Sequence, residues 1–92
     1  MKKAPIALAA DPADAEDFGA TTEALERGQR ARLIRATRTA LGLSQSEFAG
    51  RFRVPVGTLR DWEQARVSPP EFAVAYVKVI GKYPEMVAKA VA

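Results

Sequence analysis

The sequence predicts an all-α fold of five helices behind an acidic N-terminal arm, and three observations support this. Apolar residues recur at helical spacing through the last two thirds of the chain. The S-x-x-E pattern, which caps helix starts, begins at Ser44 and again at Ser68. Glycine or proline separates most of the predicted helices. The 92 residues make one small domain. A domain of this size buries only about two thirds of its unfolded surface, so oligomerisation is expected.

The arm, residues 1–21, is predicted to be flexible because its alanine, proline and acidic residues form no sustained apolar stripe. Residues 1–26 hold two lysines against six acids, a net charge of −4. Residues 27–92 hold twelve Lys/Arg against five acids, a net charge of +7. An acidic arm therefore precedes a basic domain, residues 22–92. The arm is either an inert tail or a segment that folds on a partner.

The first helix is predicted to run from Thr22 or Glu23 to Leu41, with Gly42 ending it in the left-handed conformation that other residues resist. Its apolar side is predicted to comprise Leu33, Ile34, Thr37, Ala40 and Leu41. The rest of the helix surface is predicted to carry Arg27, Arg32, Arg35 and Arg38.

A capping box at Ser44 and Glu47 starts the second helix at Gln45, and Arg53-Val54-Pro55 interrupts its apolar pattern. The third helix is predicted over Val56 to Gln64. Leu59 and Trp62 face the core. The residues left wholly or partly outward are Val56, Gly57, Thr58, Arg60 and Asp61.

A second capping box, Ser68 to Glu71, places Pro69 at the first position of the fourth helix, and Gly81 ends that helix. Pro84 begins the fifth. The apolar stripe of the fourth helix is predicted to be Phe72, Tyr76, Val79 and Ile80. The tail has more apolar surface than so small a chain easily covers, so part of it is predicted to be a dimer face and part core.

Several classes of function are excluded by composition. The chain has no cysteine and no histidine, so it offers no disulfide framework or thiolate metal site, and we expect no metal and no cofactor. No catalytic constellation is found. No stretch has the length of a membrane-spanning helix, and a reducing cytoplasm fits the composition. Nine of the domain's twelve cations precede residue 67 and all nine are arginine, which suits phosphate recognition.

The run R-x-x-L-G-L-S-Q-x-E-F-A, followed by a turn and T-L-R-D-W-E-Q-x-R, resembles the helix-turn-helix of the Cro/C1-type (XRE) transcriptional regulators. Within that family the chain is most similar to the HigA-type antitoxins of toxin–antitoxin pairs, through a tail of the form YxxVIxxxPExVxxA at Tyr76 to Ala90. The resemblance covers about Arg35 to Val91. It implies a lambda-repressor-like domain that binds double-stranded DNA, a palindromic operator, as a homodimer formed by its C-terminal helices.

The resemblance also implies roles for individual residues. Base readers would lie on the third helix, and phosphate contacts would flank the helix-turn-helix. Arg38 and Glu63 would form a structural ion pair that ties the first helix to the third. Many relatives have glycine where Ala65 stands, so the third helix either runs on to Arg66 or ends less favourably at Gln64 or Ala65. The base readers implied are Val56, Gly57, Thr58, Arg60 and Asp61, and the phosphate contacts are Ser44, Gln45, Arg51, Arg53 and Arg66.

Two functions follow from these implications. One is an autorepressing antitoxin that also neutralises a small basic toxin, a RelE/HigB-like enzyme that cleaves mRNA. The other is a stand-alone phage-repressor-type regulator without a toxin. A protein-binding adaptor on the same scaffold is a third reading, because a fold does not by itself imply a function.

Overall fold

The computed structural model describes residues 21–92. These residues form five helices: α1 Thr22–Ala40, α2 Gln45–Phe52, α3 Val56–Glu63, α4 Glu71–Lys82 and α5 Pro84–Val91. The all-α, five-helix prediction is confirmed for this part of the chain. The arm lies outside the described residues except for Thr21, whose hydroxyl oxygen accepts a hydrogen bond from the Ala24 N–H at 3.1 Å and so caps α1. The arm's predicted flexibility is therefore untested.

Helix α1 ends as its sequence predicts. Gly42 adopts φ 72°, in the left-handed region, while the Leu43 N–H donates to the Arg38 carbonyl and the Gly42 N–H to the Thr39 carbonyl. This pair of bonds is a Schellman motif, and it satisfies carbonyls that the helix end would leave unpaired. The predicted apolar side of α1 was partly wrong. Ala31 and Ile34 are its buried residues, whereas Ala40 in the last turn is exposed.

Helix α3 ends earlier than predicted, at Glu63 with Gln64 as its cap. Ala65 then adopts φ 58°, the left-handed conformation that glycine would take without strain. The Arg66 N–H bonds to the Asp61 carbonyl, which completes a second Schellman motif. The helix therefore does not run on to Arg66. It ends in the left-handed turn that glycine usually makes, and placing alanine in that turn costs roughly 1–2 kcal/mol of stability.

The start of α4 differs from the prediction. The helix begins at Glu71 with Pro70 as its cap, and no side chain caps it, so the Ser68 capping box is not formed. The reason is local. A residue before a proline is disfavoured in the α region, and Pro69 precedes Pro70, so Pro69 cannot be the first helical residue. Helix α4 also continues through Gly81 to Lys82 rather than ending at the glycine.

The buried face of α4 is also not the one predicted. Ala73, Val77 and Ile80 enter the core, whereas Phe72 is 77% exposed and Val79 46% exposed. Of the predicted stripe only Ile80 is fully buried, while Tyr76 is half-buried. Both faces of α4 are apolar, so periodicity alone could not choose between them.

One apolar core joins the helices. Helix α1 packs against α3 and α4, α2 packs against α3 and α5, and α4 packs against α5. Within the core the Phe48 and Phe52 rings lie 4.9 Å apart between centroids and are tilted by 57°, an arrangement that aromatic pairs favour. The buried apolar residues that form this core are Ile34, Phe48, Ala49, Phe52, Val54, Leu59, Val77, Ile80 and Val87.

Candidate nucleic-acid interface

The α2-turn-α3 unit is built by local capping. The Ser44 hydroxyl oxygen accepts from the Glu47 N–H at 3.1 Å, and the Glu47 carboxylate accepts from the Ser44 N–H at 2.8 Å. This reciprocal box starts α2 at Gln45, as predicted. The hydrogen bonds from Ser44, first from its backbone and then from its side chain, lower the pKa of Glu47. At the other end of α2, Arg53 adopts φ 63° and turns the chain toward α3.

Helix α3 presents a narrow outer face. Leu59 and Glu63 are buried, and Trp62 is half-buried. Gly57 and Arg60 are exposed, and the other three proposed base readers, Val56, Thr58 and Asp61, are partly exposed. Val56 also packs against the core, so only part of its side chain is available at the outer face.

Arg38 and Glu63 meet in a two-bond contact between α1 and α3. Arg38 Nε lies 2.7 Å from Glu63 Oε2, and the Arg38 terminal nitrogen Nη2 lies 2.9 Å from Oε1. The Glu63 side chain is only 3% exposed. Burial by itself would raise the pKa of Glu63, but hydrogen bonds from Arg38 and Gln45, together with the Arg38 and Arg35 charges, outweigh burial and lower it. The same contact raises the pKa of Arg38.

Gln45 belongs to this buried network. Its side-chain amide nitrogen donates to Glu63 Oε1 at 3.1 Å. An amide nitrogen carries two hydrogens, so one remains for a phosphate oxygen. The phosphate-binding role of Gln45 stays a prediction, and the structure adds that its side chain also supports the position of α3.

Sequence reasoning missed a row of arginines on α1 that hold the end of α3. Arg35 donates to the Glu63 carbonyl at 2.7 Å, Arg27 to the Ala65 carbonyl at 2.9 Å, and Arg30 to the Pro69 carbonyl at 2.7 Å. Cations at the C-terminal end of a helix complement its dipole. A signal was available: these arginines and Arg38 fall within one side of α1 at 100° per residue.

The arginines proposed to contact DNA differ in whether their side chains already bond to other parts of the domain. Within residues 21–92 no side chain forms a hydrogen bond or ion pair with Arg51 or Arg60, and both are exposed. Arg66 makes only a loose 3.7 Å contact with Asp61, with both side chains largely exposed. Arg53 is different because its Nε donates to the Val91 carbonyl at 3.0 Å and ties α2 to the end of α5. Among the arginines proposed to contact DNA, the guanidinium groups of Arg51, Arg60 and Arg66 are therefore the ones available to a ligand.

A groove of about 350 Å³ lies between α3 and α4. Tyr76 stands in its wall with its hydroxyl donating to the Phe52 carbonyl at 2.7 Å, and burial raises the pKa of that hydroxyl. The groove is lined by Arg53, Val54, Pro55, Thr58, Trp62, Phe72, Ala73 and Tyr76.

Residues 21–92 contain no cluster of acidic side chains arranged to hold a metal ion. Within the same range no helix has the length and apolar character needed to cross a membrane.

Comparison with known proteins agrees with this geometry. The helix-turn-helix family model matches residues 34–86, which span α2, α3, α4 and parts of α1 and α5. A solved structure, described as an HTH XRE-family like protein from Agrobacterium tumefaciens, is 48% identical with a TM-score of 0.63. The match covers 65% of this chain and 97% of that one. No curated protein matches the sequence.

Proposed function

The chain belongs to the XRE-type helix-turn-helix family of DNA-binding regulators, and from this premise we propose that it is a sequence-specific repressor whose helix α3 enters the major groove of its operator. The observation that carries the proposal is the outer face of α3. Arg60 is exposed and unpaired within residues 21–92, on a helix whose C-terminal end is held by three arginines of α1, Arg27, Arg35 and Arg38. A rigidly held reading helix limits the conformational freedom lost on binding.

Arg60 is the residue we assign to base readout. Its planar fork matches the two acceptors of guanine in the major groove. Thr58, Asp61, Gly57 and Val56 would contact neighbouring base edges or thymine methyl groups. Arg51 and Arg66, together with the start of α2 at Ser44 and Gln45, would hold phosphates on either side.

The test compares two arginine variants on DNA. A duplex that the full chain selects from a random pool serves as the operator, and an unrelated duplex as the reference. Arg60→Ala should weaken operator binding by about 1–3 kcal/mol and relax base preference at one position. Arg51→Ala, the matched control, should weaken both duplexes about equally. Equal losses on both duplexes for Arg60→Ala would remove Arg60 from the base-reading face.

We further propose that the protein acts as a homodimer on a palindromic operator. Two half-sites would then lie about 34–36 Å apart, one turn of the duplex. The exposed apolar side chains of the last two helices, Phe72, Val79 and Met86, and of Tyr83 between those helices support a dimer face there. Footprinting of the selected duplex should show two protected half-sites related by two-fold symmetry, whereas a single protected half-site would contradict the dimer.

The finer proposal is that this repressor is a cytoplasmic antitoxin that neutralises a RelE/HigB-like mRNA-cleaving toxin and represses its own operon. Its support is the sequence resemblance of the tail and the acidic composition of residues 1–21, a charge suited to a small basic partner. The alternative is a stand-alone regulator. In that alternative the acidic arm, residues 1–21, is an inert tail.

A growth assay distinguishes the antitoxin from the stand-alone regulator. The small open reading frame next to this gene is expressed with and without the full chain. If the neighbour stops growth and this protein restores it, the antitoxin proposal stands, and a variant lacking residues 1–20 shows whether the arm holds the toxin. A harmless neighbour would leave the stand-alone regulator.

A further inference from the structure

Helix α1 begins before the part of the chain that the helix-turn-helix family model matches. The match covers residues 34–86, whereas α1 begins at Thr22. Residues 22–33, which we call the α1 extension, therefore precede the match. Within this segment Arg27 and Arg30 are half-buried, and each donates a hydrogen bond to the loop after α3, residues 64–70. The α1 extension thus contacts the end of the DNA-reading unit.

Both hydrogen bonds go to loop carbonyls that have no backbone partner. Arg27 Nε lies 2.9 Å from the Ala65 carbonyl oxygen, and Arg30 Nη1 lies 2.7 Å from that of Pro69. Within residues 21–92 no backbone N–H donates to either oxygen, and carbonyls past a helix end need a partner from elsewhere. In the same part of the chain these two bonds are the only hydrogen bonds that join the loop to a helix other than α3 and α4. The loop therefore depends on the α1 extension for its hydrogen bonds to the rest of the domain.

Arg66 follows the first of these carbonyls directly. Its N–H donates to the Asp61 carbonyl at 2.9 Å in the Schellman motif that ends α3. Ala65, the residue before it, has φ 58°, a conformation that is strained for alanine. Arg27 is bonded to the carbonyl of that same alanine. The turn that sets the direction of Arg66 is thus strained at Ala65 and held there by a side chain of the α1 extension.

The Arg66 side chain is 70% exposed and makes a loose 3.7 Å contact with Asp61. An exposed ion pair restrains a side chain weakly, so the placement of the Arg66 guanidinium depends on the backbone that carries it. We propose that Arg27 is a positioning residue for DNA binding: by holding the Ala65 carbonyl, it directs Arg66 toward a phosphate of the operator. Arg30 supports this role by holding the far end of the loop.

This inference rests on the proposed function, in which Arg66 holds a phosphate, and it deepens that function. It assigns a part in DNA binding to residues that lie before the helix-turn-helix and before the family match. The role is distinct from that of the buried Arg38–Glu63 pair, which joins α1 to α3 itself. The α1 extension instead acts on the loop that leaves α3.

The first experiment measures how the binding of the full chain to its selected duplex depends on salt. Each phosphate contact adds about 0.9 to the slope of log Kd against log salt concentration. Arg66→Met should lower the slope by about 0.9 per bound chain, and Arg27→Met by at least half as much, with a roughly threefold to eightfold higher Kd at about 0.1 M salt. Arg32→Met is the matched control, because Arg32 is exposed on the same helix, and it should change the slope by less than about 0.2.

Two results of this experiment would overturn the inference. One is an Arg27→Met slope equal to that of the wild type or of Arg32→Met. The other is a wild-type slope for Arg66→Met, which would remove Arg66 from the phosphate contacts. A wild-type chain that selects no duplex would instead overturn DNA binding itself, so the failure of the proposed function is distinguishable. Methionine keeps the apolar stem of arginine, and circular dichroism verifies that each variant folds.

A double variant distinguishes positioning from direct contact. If Arg27 acts through Arg66, then adding Arg27→Met to a chain that already carries Arg66→Met should change the slope by less than about 0.2, because no contact remains to be positioned. A further loss of about 0.9 would show that Arg27 binds a phosphate itself. That result would overturn its role as a positioning residue.

The second experiment observes the loop without DNA, by amide hydrogen exchange, which detects local opening. The domain offers two Schellman turns to compare. At the end of α3 the Arg66 N–H donates to the Asp61 carbonyl at 2.9 Å. At the end of α1 the Leu43 N–H donates to the Arg38 carbonyl at 3.3 Å. In the Arg27→Met chain the Arg66 N–H should exchange on the order of tenfold faster, while the Leu43 N–H stays within about twofold. Equal acceleration at both turns, or none at Arg66, would overturn the proposed hold on the loop.

Discussion

Removing one partner of the Arg38–Glu63 pair should destabilise the domain severely. Arg38→Met leaves the Glu63 carboxylate, whose side chain is 3% exposed, without its two-bond partner. Stranding a buried charge in this way costs about 3–5 kcal/mol. The folded part of the chain, residues 21–92, has an expected total stability of about 4–11 kcal/mol. The variant should therefore lose about a quarter or more of its stability and melt at least about 12 °C lower.

A double-mutant cycle separates the pair from its surroundings. Urea unfolding followed by circular dichroism is measured for Arg38→Met, Glu63→Leu and the combination. Replacing both charges by apolar groups leaves no stranded charge. The double variant should therefore lose at least about 1.5 kcal/mol less free energy of unfolding than the two single variants lose in sum. Arg32→Met is the control, because Arg32 is exposed on the same helix, and it should change stability by less than about 0.5 kcal/mol. Additive single losses, or a loss below about 1 kcal/mol for Arg38→Met, would refute the reasoning.

Three further predictions concern stability. Ala65→Gly should raise the free energy of unfolding by about 1 kcal/mol in urea, because Ala65 adopts φ 58°; a destabilised variant would contradict the left-handed turn. Gly81→Ala should stabilise by about 0.5–1 kcal/mol, because Gly81 is helical and an added Cβ would meet Thr37 Cγ2 at an ordinary 3.4 Å; a loss would mean that α1 cannot accept the methyl group. The pKa of Glu63 is lowered on folding, so its stabilisation is present above the pKa of the unfolded state and is lost as pH falls through the folded pKa. The wild type should lose stability below about pH 4, and the Glu63→Gln variant should show a smaller loss over that range.

The elements that local chemistry controls could be predicted from sequence. The Ser44–Glu47 box and the left-handed turn at Gly42 each depend on a few consecutive residues, and both form. The second box, at Ser68, does not form because of an equally local effect: Pro70 disfavours the helical conformation at Pro69. The Ala65 carbonyl accepts a hydrogen bond from Arg27, 38 residues away in the sequence, and no local pattern records that contact.

Parts of the proposed site depend on contacts between helices. Arg53 is one of the phosphate contacts that the sequence predicts, and in the structure its side chain donates to the Val91 carbonyl. Three arginines of α1, Arg27, Arg30 and Arg35, were counted as basic surface, and their hydrogen bonds go instead to backbone carbonyls at the end of α3 and in the loop after it. A count of charges overestimates a DNA-binding surface because it cannot distinguish an arginine that holds the fold from one that is available to phosphate.

The sequence by itself determined that this chain contains a helix-turn-helix domain and predicted α3 as its reading helix, because helix starts, turns and the buried face of a short helix follow from neighbouring residues. Only the tertiary structure decided which face of α4 is buried. Both faces are apolar, and the choice follows from packing Ala73, Val77 and Ile80 into the core around α1. Within residues 21–92 that packing leaves Phe72, Val79 and Tyr83 exposed, because so small a domain has too few other helices to cover both faces of α4.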